Sequence, residues 1–186
     1  INVVYTRMLN NPLYAAKLIG KIDDVDVGYL MGYDQSTTYI IPSKYGSSLV
    51  STDLKSFGNA LRLKKNISGE SFVGLIATDR ETGDAYNRVA GFDGSINFWK
   101  NYYFNFEALG YFTKELDDPN LFDDNTPINK KGNDAGFNGE KYSNFGGTFA
   151  LVRSARHWNG ELFLNIAPPE ARRELGFMSK NDFREL

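Results

Sequence analysis

The sequence has no cysteine and a single histidine, His157. Disulfides, thiolate zinc sites and cysteine nucleophiles are thereby excluded, as is any metal centre built from several imidazoles. Charge of neither sign dominates, since 21 basic and 23 acidic side chains leave a net charge of −2. A generic polyanion binder needs a strong basic excess, so nucleic acid is not an expected partner. No stretch approaches the ~18 consecutive apolar residues of a membrane-spanning helix. The chain begins Ile1-Asn2-Val3-Val4, without an initiator Met or a signal-peptide pattern. Chemical motifs are scarce too. A Gly-x-Ser-x-Gly elbow, a phosphate-binding glycine loop and a Rossmann fingerprint are all missing. No catalytic residue, metal ligand or cofactor is assigned, and enzymatic activity is not the favoured expectation.

What the sequence does have is alternation with period two, the signature of a strand whose faces differ. In 102–113, Tyr102, Phe104, Phe106, Ala108 and Phe112 share one face, while Tyr103, Asn105, Glu107, Tyr111 and Thr113 share the other. In 88–98, Ala90, Phe92, Ile96 and Phe98 oppose Gly91, Asp93, Ser95 and Asn97. Residues 25–34 set Val25, Val27, Tyr29, Met31 and Tyr33 against Asp26, Gly28, Gly32 and Asp34. Leu61 and Leu63 oppose Arg62 and Lys64, and Leu162, Leu164 and Ile166 oppose Glu161 and Asn165. Segments 13–21, 71–79 and 145–156 are strand-like with their direction open. No segment carries a 3.6-residue stripe, and the run after Pro168-Pro169 holds one helical turn at most.

The connections have a rhythm of their own. Short turns are expected at 22–24, 68–70, 99–101 and Asn159-Gly160, the last as a type I′ hairpin. Between them fall a long connection at 35–57, a medium loop at 80–85 and a long acidic loop at 115–143. Aromatics gather at the short turns, as Phe98, Trp99, Tyr102, Tyr103 and Phe104 at one, and Trp158 beside His157 at another. Alternating short and longer connections with aromatics at one level are what an up-and-down membrane barrel predicts.

The expected fold is therefore all-β, an antiparallel up-and-down meander forming one domain over 1–186. It has about eight clear strands, with partial ones at 2–8 and near 175–186, and makes part of a transmembrane β-barrel. On that reading the lumen-facing polar candidates are Asp26, Arg62, Lys64, Asp93, Asn105, Glu107 and Glu161, joined by Asn165. Asp93 and Glu107 fall on strands joined by the 99–101 turn. Two carboxylates so placed are the equipment of glycoside hydrolysis, although a water-filled barrel carries charged side chains without any catalysis. The oxygen-rich loop 117–125, Asp117-Asp118-Pro119-Asn120-Leu121-Phe122-Asp123-Asp124-Asn125, has the ligand chemistry of calcium, but it lacks EF-hand spacing and reads first as a solvated loop.

Several stretches carry a resemblance. Val4-Tyr5-Thr6-Arg7, Ala16-Lys17-Leu18-Ile19-Gly20-Lys21, Asn87-Arg88-Val89-Ala90-Gly91-Phe92-Asp93 and Arg173-Glu174-Leu175-Gly176-Phe177-Met178 before Asp182-Phe183-Arg184 run in order through the chain. Together they resemble the barrel region called domain of unknown function 5916. In that bacterial family the barrel commonly follows a module similar to family-nine carbohydrate-binding modules. The resemblance implies a bacterial outer-membrane location, a lipid bilayer as partner, a link to glycan binding or uptake, and a chain that is the first part of a longer barrel. It also implies structural roles for Gly20, Gly91 and Gly176 in strands, with Lys17 and Arg7 facing a lumen or a neighbouring strand. The competing expectation is a soluble antiparallel β domain that binds carbohydrate through exposed aromatics. A sugar platform would cluster its aromatics on one concave patch, whereas a membrane girdle would spread them in two bands.

Overall fold

The structure, a computed structural model, describes residues 3–186. It contains eleven strands: β1 (Pro12–Ile22), β2 (Val25–Asp34), β3 (Thr37–Pro42), β4 (Ser47–Thr52), β5 (Ser56–Ser68), β6 (Ser71–Thr82), β7 (Ala85–Phe98), β8 (Tyr102–Lys114), β9 (Lys141–Arg153), β10 (Gly160–Ala167) and β11 (Phe183–Glu185). Nine of them form one sheet in the order β1-β2-β5-β6-β7-β8-β9-β10-β11, with each neighbour antiparallel; β3 and β4 form a separate hairpin. The fold is thus an all-β up-and-down meander. β1 and β11 are the edges of the sheet. At the tight turns the backbone enters the left-handed region at Asp23, Gly69 and Gly83.

The sheet curls. One short segment, Glu170–Leu175, reaches five consecutive strands: β5 through Leu175 against Gly58, β6 through Arg80, β7 through Asn87, β8 through Tyr111 and β9 through Asn144. Strands are ~4.8 Å apart, so a flat sheet would hold the outer two of these roughly 19 Å from each other. One face is therefore concave. At the end where β2, β6 and β8 finish, this face is filled by Val3–Leu9, the β3–β4 hairpin, the 115–140 loop and the connection between β10 and β11. Two small apolar clusters result, Val3 with Val89, Leu109, Tyr111 and Ala171, and Tyr39 with Ile41 and Phe137. Toward the opposite end the concave face is open.

Six expectations need correction. No strand forms over the described part of 2–8; Thr6–Met8 is a single 3-10 turn. Val3 and Met8 both plunge into the interior, and Tyr5 N–H donates to Leu175 O, so the segment crosses the sheet instead of extending it. The 35–57 connection holds the β3–β4 hairpin, which alternation missed because Tyr39 to Pro42 are buried on both faces. The 80–85 connection is a two-residue turn between Thr82 and Ala85, so short and longer connections do not alternate strictly. Neither Asn159 nor Gly160 has the positive φ of a type I′ turn; Asn159 Oδ1 instead accepts from Ala155 N–H at 2.8 Å. Of the partial strand near 175–186, Phe183–Glu185 alone is regular, and Gly176 lies in the preceding connection, outside any strand.

Candidate functional site

Direct antiparallel partners share a face of the sheet, so the register traces rows across it. One row runs Lys21, Asp26, Lys64, Gly74, Asp93, Glu107, Thr148, Asn165 and Glu185. It lies on the concave face. Arg62, two residues from Lys64, Asn105, two from Glu107, and Glu161, four from Asn165, lie on the same face. The seven polar candidates are therefore brought to one surface, although not to one point.

Gly74 organises the centre of that surface. It leaves a gap in the row, and the Arg62 guanidinium lies across it to hold both oxygens of Asp93, with Nη2–Oδ2 at 2.6 Å. Arg62 Nη1 also donates to Leu75 O at 3.4 Å. A Cβ at position 74 would run into the guanidinium. Lys64 stands beside the pair with its ammonium 4.3 Å from the Phe72 ring centroid. Asp93 and Glu107 are register partners, so the two carboxylates do approach one another. Each faces its own guanidinium, however, with Glu107 Oε1 3.7 Å from Arg173 Nη2. This is an ion-pair lattice in which both Asp93 oxygens accept from Arg62. Thr148 donates to Asn165 at 3.1 Å, extending the polar row. Asn105 and Glu161 are exposed near the open end. A cavity of about 420 Å³ lies over Phe72, Asp93, Asn105, Glu107 and Thr148. A second, of about 660 Å³, lies between β9–β11 and the connection bearing Arg173 and Lys180.

Alternation did not find the most deeply buried charges. Arg80 is fully buried. It donates to Ser56 Oγ, Met8 O, Glu174 O and Thr38 O, and its Nη2 stands 3.8 Å from Asp34. Arg172 pairs with Glu115 at 2.7 Å, and Glu115 also accepts from Tyr142 O–H at 2.7 Å. Burial pushes the Glu115 carboxyl up to about 7 against the pull of Arg172. The adjacent Arg172-Arg173 pair after Pro168-Pro169 was the available signal: two consecutive arginines outside any alternating segment, immediately following a strand. Lys17 lies on the concave side of the edge strand β1, and Arg7 is exposed in the 3-10 turn. His157 is exposed beside Trp158.

In the 117–125 loop the carboxylates cap their own turns, Asp118 accepting from Asn120, Asp123 from Asn125 and Asp124 from Thr126. Among the described residues no group of three or more His, Asp or Glu is close enough to hold a metal ion.

The convex face is the chemical opposite of the concave one. Its rows read Ile96, Phe104, Leu151 and Leu162; then Ile22, Val25, Lys65, Val73, Gly94, Phe106, Phe149 and Leu164; then Gly20, Val27, Leu63, Leu75, Phe92, Ala108, Gly147 and Ile166; then Leu18, Tyr29, Leu61, Ala77, Ala90, Gly110 and Phe145. Lys65, and Arg184 opposite Ile166 at the β11 edge, are the charges in these four rows. Leu18, Ile22, Phe92, Phe145 and Leu162 are each more than 60% exposed. Beyond the last row Arg88 bridges Asp79 and Glu81 at 3.0 and 2.8 Å, so charge begins there. Aromatics flank the apolar zone at both ends. Phe98, Trp99 and Tyr102 cluster with centroids 5.6–6.0 Å apart at the short-turn end, with Trp158 under Arg153 at 3.7 Å. Tyr14 stacks on Tyr33 at 5.3 Å at the other end, in one row with Phe57 and Tyr86.

Among the described residues no helix is long and apolar enough to cross a membrane, which says nothing of strands. No protein-family profile matches the chain, and neither a curated protein nor a solved structure matches it significantly.

Proposed function

We propose that this chain is wall material of a bacterial outer-membrane β-barrel, a pore or scaffold working in glycan binding or uptake, as its resemblance to the barrel region of domain of unknown function 5916 implies. One observation carries the membrane part: an almost uncharged apolar zone on the convex face, bounded by an aromatic row at each end. The twelve steps along β8 from the Tyr102 row to the Lys114 row are ~40 Å at about 3.3 Å per residue. At a strand tilt of about 40° the two aromatic rows stand roughly 30 Å apart in height, comparable to the distance between a bilayer's two interfaces, and the four apolar rows between them, six steps from Phe104 to Gly110, cover roughly 15 Å. Trp99 adds support. It is 78% exposed and holds a φ of 49°, in the left-handed region that disfavours bulky residues. An indole displayed at that cost suits the headgroup level, where its ring is part apolar and part wet. The two-band spread favours a girdle over a sugar platform. The glycan part draws on the resemblance, and the concave face offers it Phe72 and Phe163 among Asn105, Thr148 and Asn165.

The test uses the two tryptophans. The refolded chain is floated with vesicles carrying bromine at defined acyl depths. Trp99 and Trp158 should be quenched by shallow bromines and little by those at the bilayer centre. A chain that stays off the vesicles, with both tryptophans unquenched, sinks the reading.

A further inference from the structure

The connection from β10 to β11, Pro168–Asp182, folds inward across the concave face as a strap with neither helix nor strand of its own. Its hold on the sheet is chiefly polar. Arg172 reaches Glu115 at 2.7 Å and donates to Ala135 O at 3.1 Å. Arg173 donates to the Tyr111 hydroxyl at 2.7 Å. Asn87 donates to Arg172 O at 3.3 Å and accepts from Glu174 N–H at 3.0 Å, and Arg80 donates to Glu174 O at 3.0 Å. The apolar share is Ala171 and Met178 at the Val3, Val89, Leu109 and Tyr111 cluster, Leu175 against Gly58, and Phe177 beside the Tyr5 ring.

These polar contacts are incomplete. Glu107 Oε1, Glu115 Oε2 and Arg173 Nε are buried side-chain atoms without a hydrogen-bond partner, and all three stand at the strap–sheet junction. Desolvated ion pairs scarcely repay their desolvation, and orphaned polar atoms subtract further. The junction is therefore weaker than its contacts suggest. The strap also joins neighbouring strands, and its two ends are anchored in β10 and β11. It can leave the interior by giving up the Ser43–Lys180 bridge and the Tyr5–Leu175 backbone bond without breaking any strand pair of the nine-stranded sheet, so local opening is separable from loss of the sheet.

We infer that the Pro168–Asp182 strap is the displaceable part of the plug at the end of the long connections: docked, it locks Val3–Leu9 and the long loop against the concave face, and undocked, it loosens that filling and opens a path along the polar row past Arg62, Asp93 and Glu107. This rests on the barrel reading above and adds that the resting pore is shut.

The experiment joins conductance to strap position in the complete barrel whose wall this chain forms, since β1 and β11 are free edges among the described residues. Ala171, fully buried, becomes the only thiol in Ala171→Cys, and its labelling by a membrane-impermeant maleimide reports undocking. Planar-bilayer current reports the path. Wild type should be closed, and Ala171→Cys should label slowly. Arg172→Gln/Arg173→Gln, and the milder Asn87→Ala, which removes two bonds to the strap backbone and leaves both arginines, should conduct. Either should raise the Ala171→Cys labelling rate by roughly tenfold or more, because labelling of a buried site tracks the open population. A wild type that conducts as freely as the variants overturns the inference. So does a strap that labels as undocked in either variant without current. Failure of the chain to enter bilayers, read by unquenched tryptophan, rejects the barrel reading and takes the plug with it.

Discussion

Arg62 reaches Asp93 because position 74 has no side chain, so a glycine on one strand sets a contact between two others. Gly74→Val should displace the guanidinium and cost about 1 kcal/mol for the pair, which is a fifth to a third exposed and so screened. Most of that cost should vanish when Arg62 is already Ala, and a double-mutant cycle in urea would read it; additive losses would show that Gly74 is needed for something else. Phe106 tests which face is which. Its ring lies over Gly94 on the convex side, where a Cβ would meet it at 2.6 Å, while its neighbour Asn105 faces inward. In vesicles Phe106→Arg should lose roughly 2–4 kcal/mol, the range for a cation on the lipid face near mid-depth, and Asn105→Arg should be tolerated. Spin labels at both positions check it by oxygen accessibility; a lipid-exposed 105 with a wet 106 would invert the register. Glu115 gives a pH dependence. Its carboxyl, facing Arg172, Tyr142, Glu140 and Asp134, is raised from 4.5 to about 7 chiefly by burial. The folded state therefore binds this proton more tightly than the unfolded chain does. The stability it contributes is full below about 4.5 and is lost as pH rises through about 7, with an upper bound of about 3.5 kcal/mol at ~1.4 kcal/mol per unit. Strap docking, read by maleimide labelling at Ala171→Cys, should weaken as pH rises from about 4.5 to about 7, and Glu115→Gln should flatten the profile. A flat wild-type profile would refute the assignment.

At the scale of elements, alternation revealed strands wherever the two faces meet different surroundings. β2, β5, β7, β8 and β10 each have one apolar and one polar face, and their side chains fall on the faces the sequence implied. Where both faces meet protein, the signal disappears. Tyr39-Ile40-Ile41-Pro42 is apolar throughout because the β3–β4 hairpin is wedged between the sheet and the acidic loop. The strap was illegible for another reason: its arginine side chains are held by the Ala135 carbonyl, by Glu115 at the start of the long loop and by Tyr111 of β8, partners that no local spacing announces. The seven polar candidates were legible as a surface, but the Arg62–Asp93 bridge was not, since it depends on register across β5, β6 and β7. The hairpin makes a prediction of its own. Tyr39 meets Phe137 edge-on at 5.2 Å, and Phe137 is 2% exposed. Phe137→Ala should cost about 3–5 kcal/mol. Hydrogen exchange should show the loss confined to the hairpin and the 115–140 loop; faster exchange in β7 and β8 as well would mean that the hairpin is part of the sheet's cooperative unit.

For the whole molecule the question is what surrounds the convex face. A soluble protein rarely exposes a contiguous apolar patch beyond a few hundred Å², and here the apolar rows run across the sheet from β1 to β10. The free edge compounds the hazard. β1 is exposed along all eleven residues, with Leu18, Ile19 and Ile22 each above 60%, and its outer backbone groups have no strand beside them among the described residues. Long, flat apolar edges are pairing templates. In water without detergent the chain should therefore self-associate, and in mild detergent it should sediment as one species with strand-rich circular dichroism. Two variants separate face from edge. Leu18→Pro removes a donor and blocks edge pairing but leaves the face apolar, so it should not restore solubility. Phe92→Glu with Phe145→Glu breaks the face in the middle of the convex zone, and should reduce association in water while weakening uptake into vesicles. Rescue by Leu18→Pro alone would place the liability in the edge and leave the apolar face without a membrane role. A monodisperse wild-type monomer in plain buffer would remove the membrane argument altogether, because an apolar zone that water tolerates needs no bilayer to explain it.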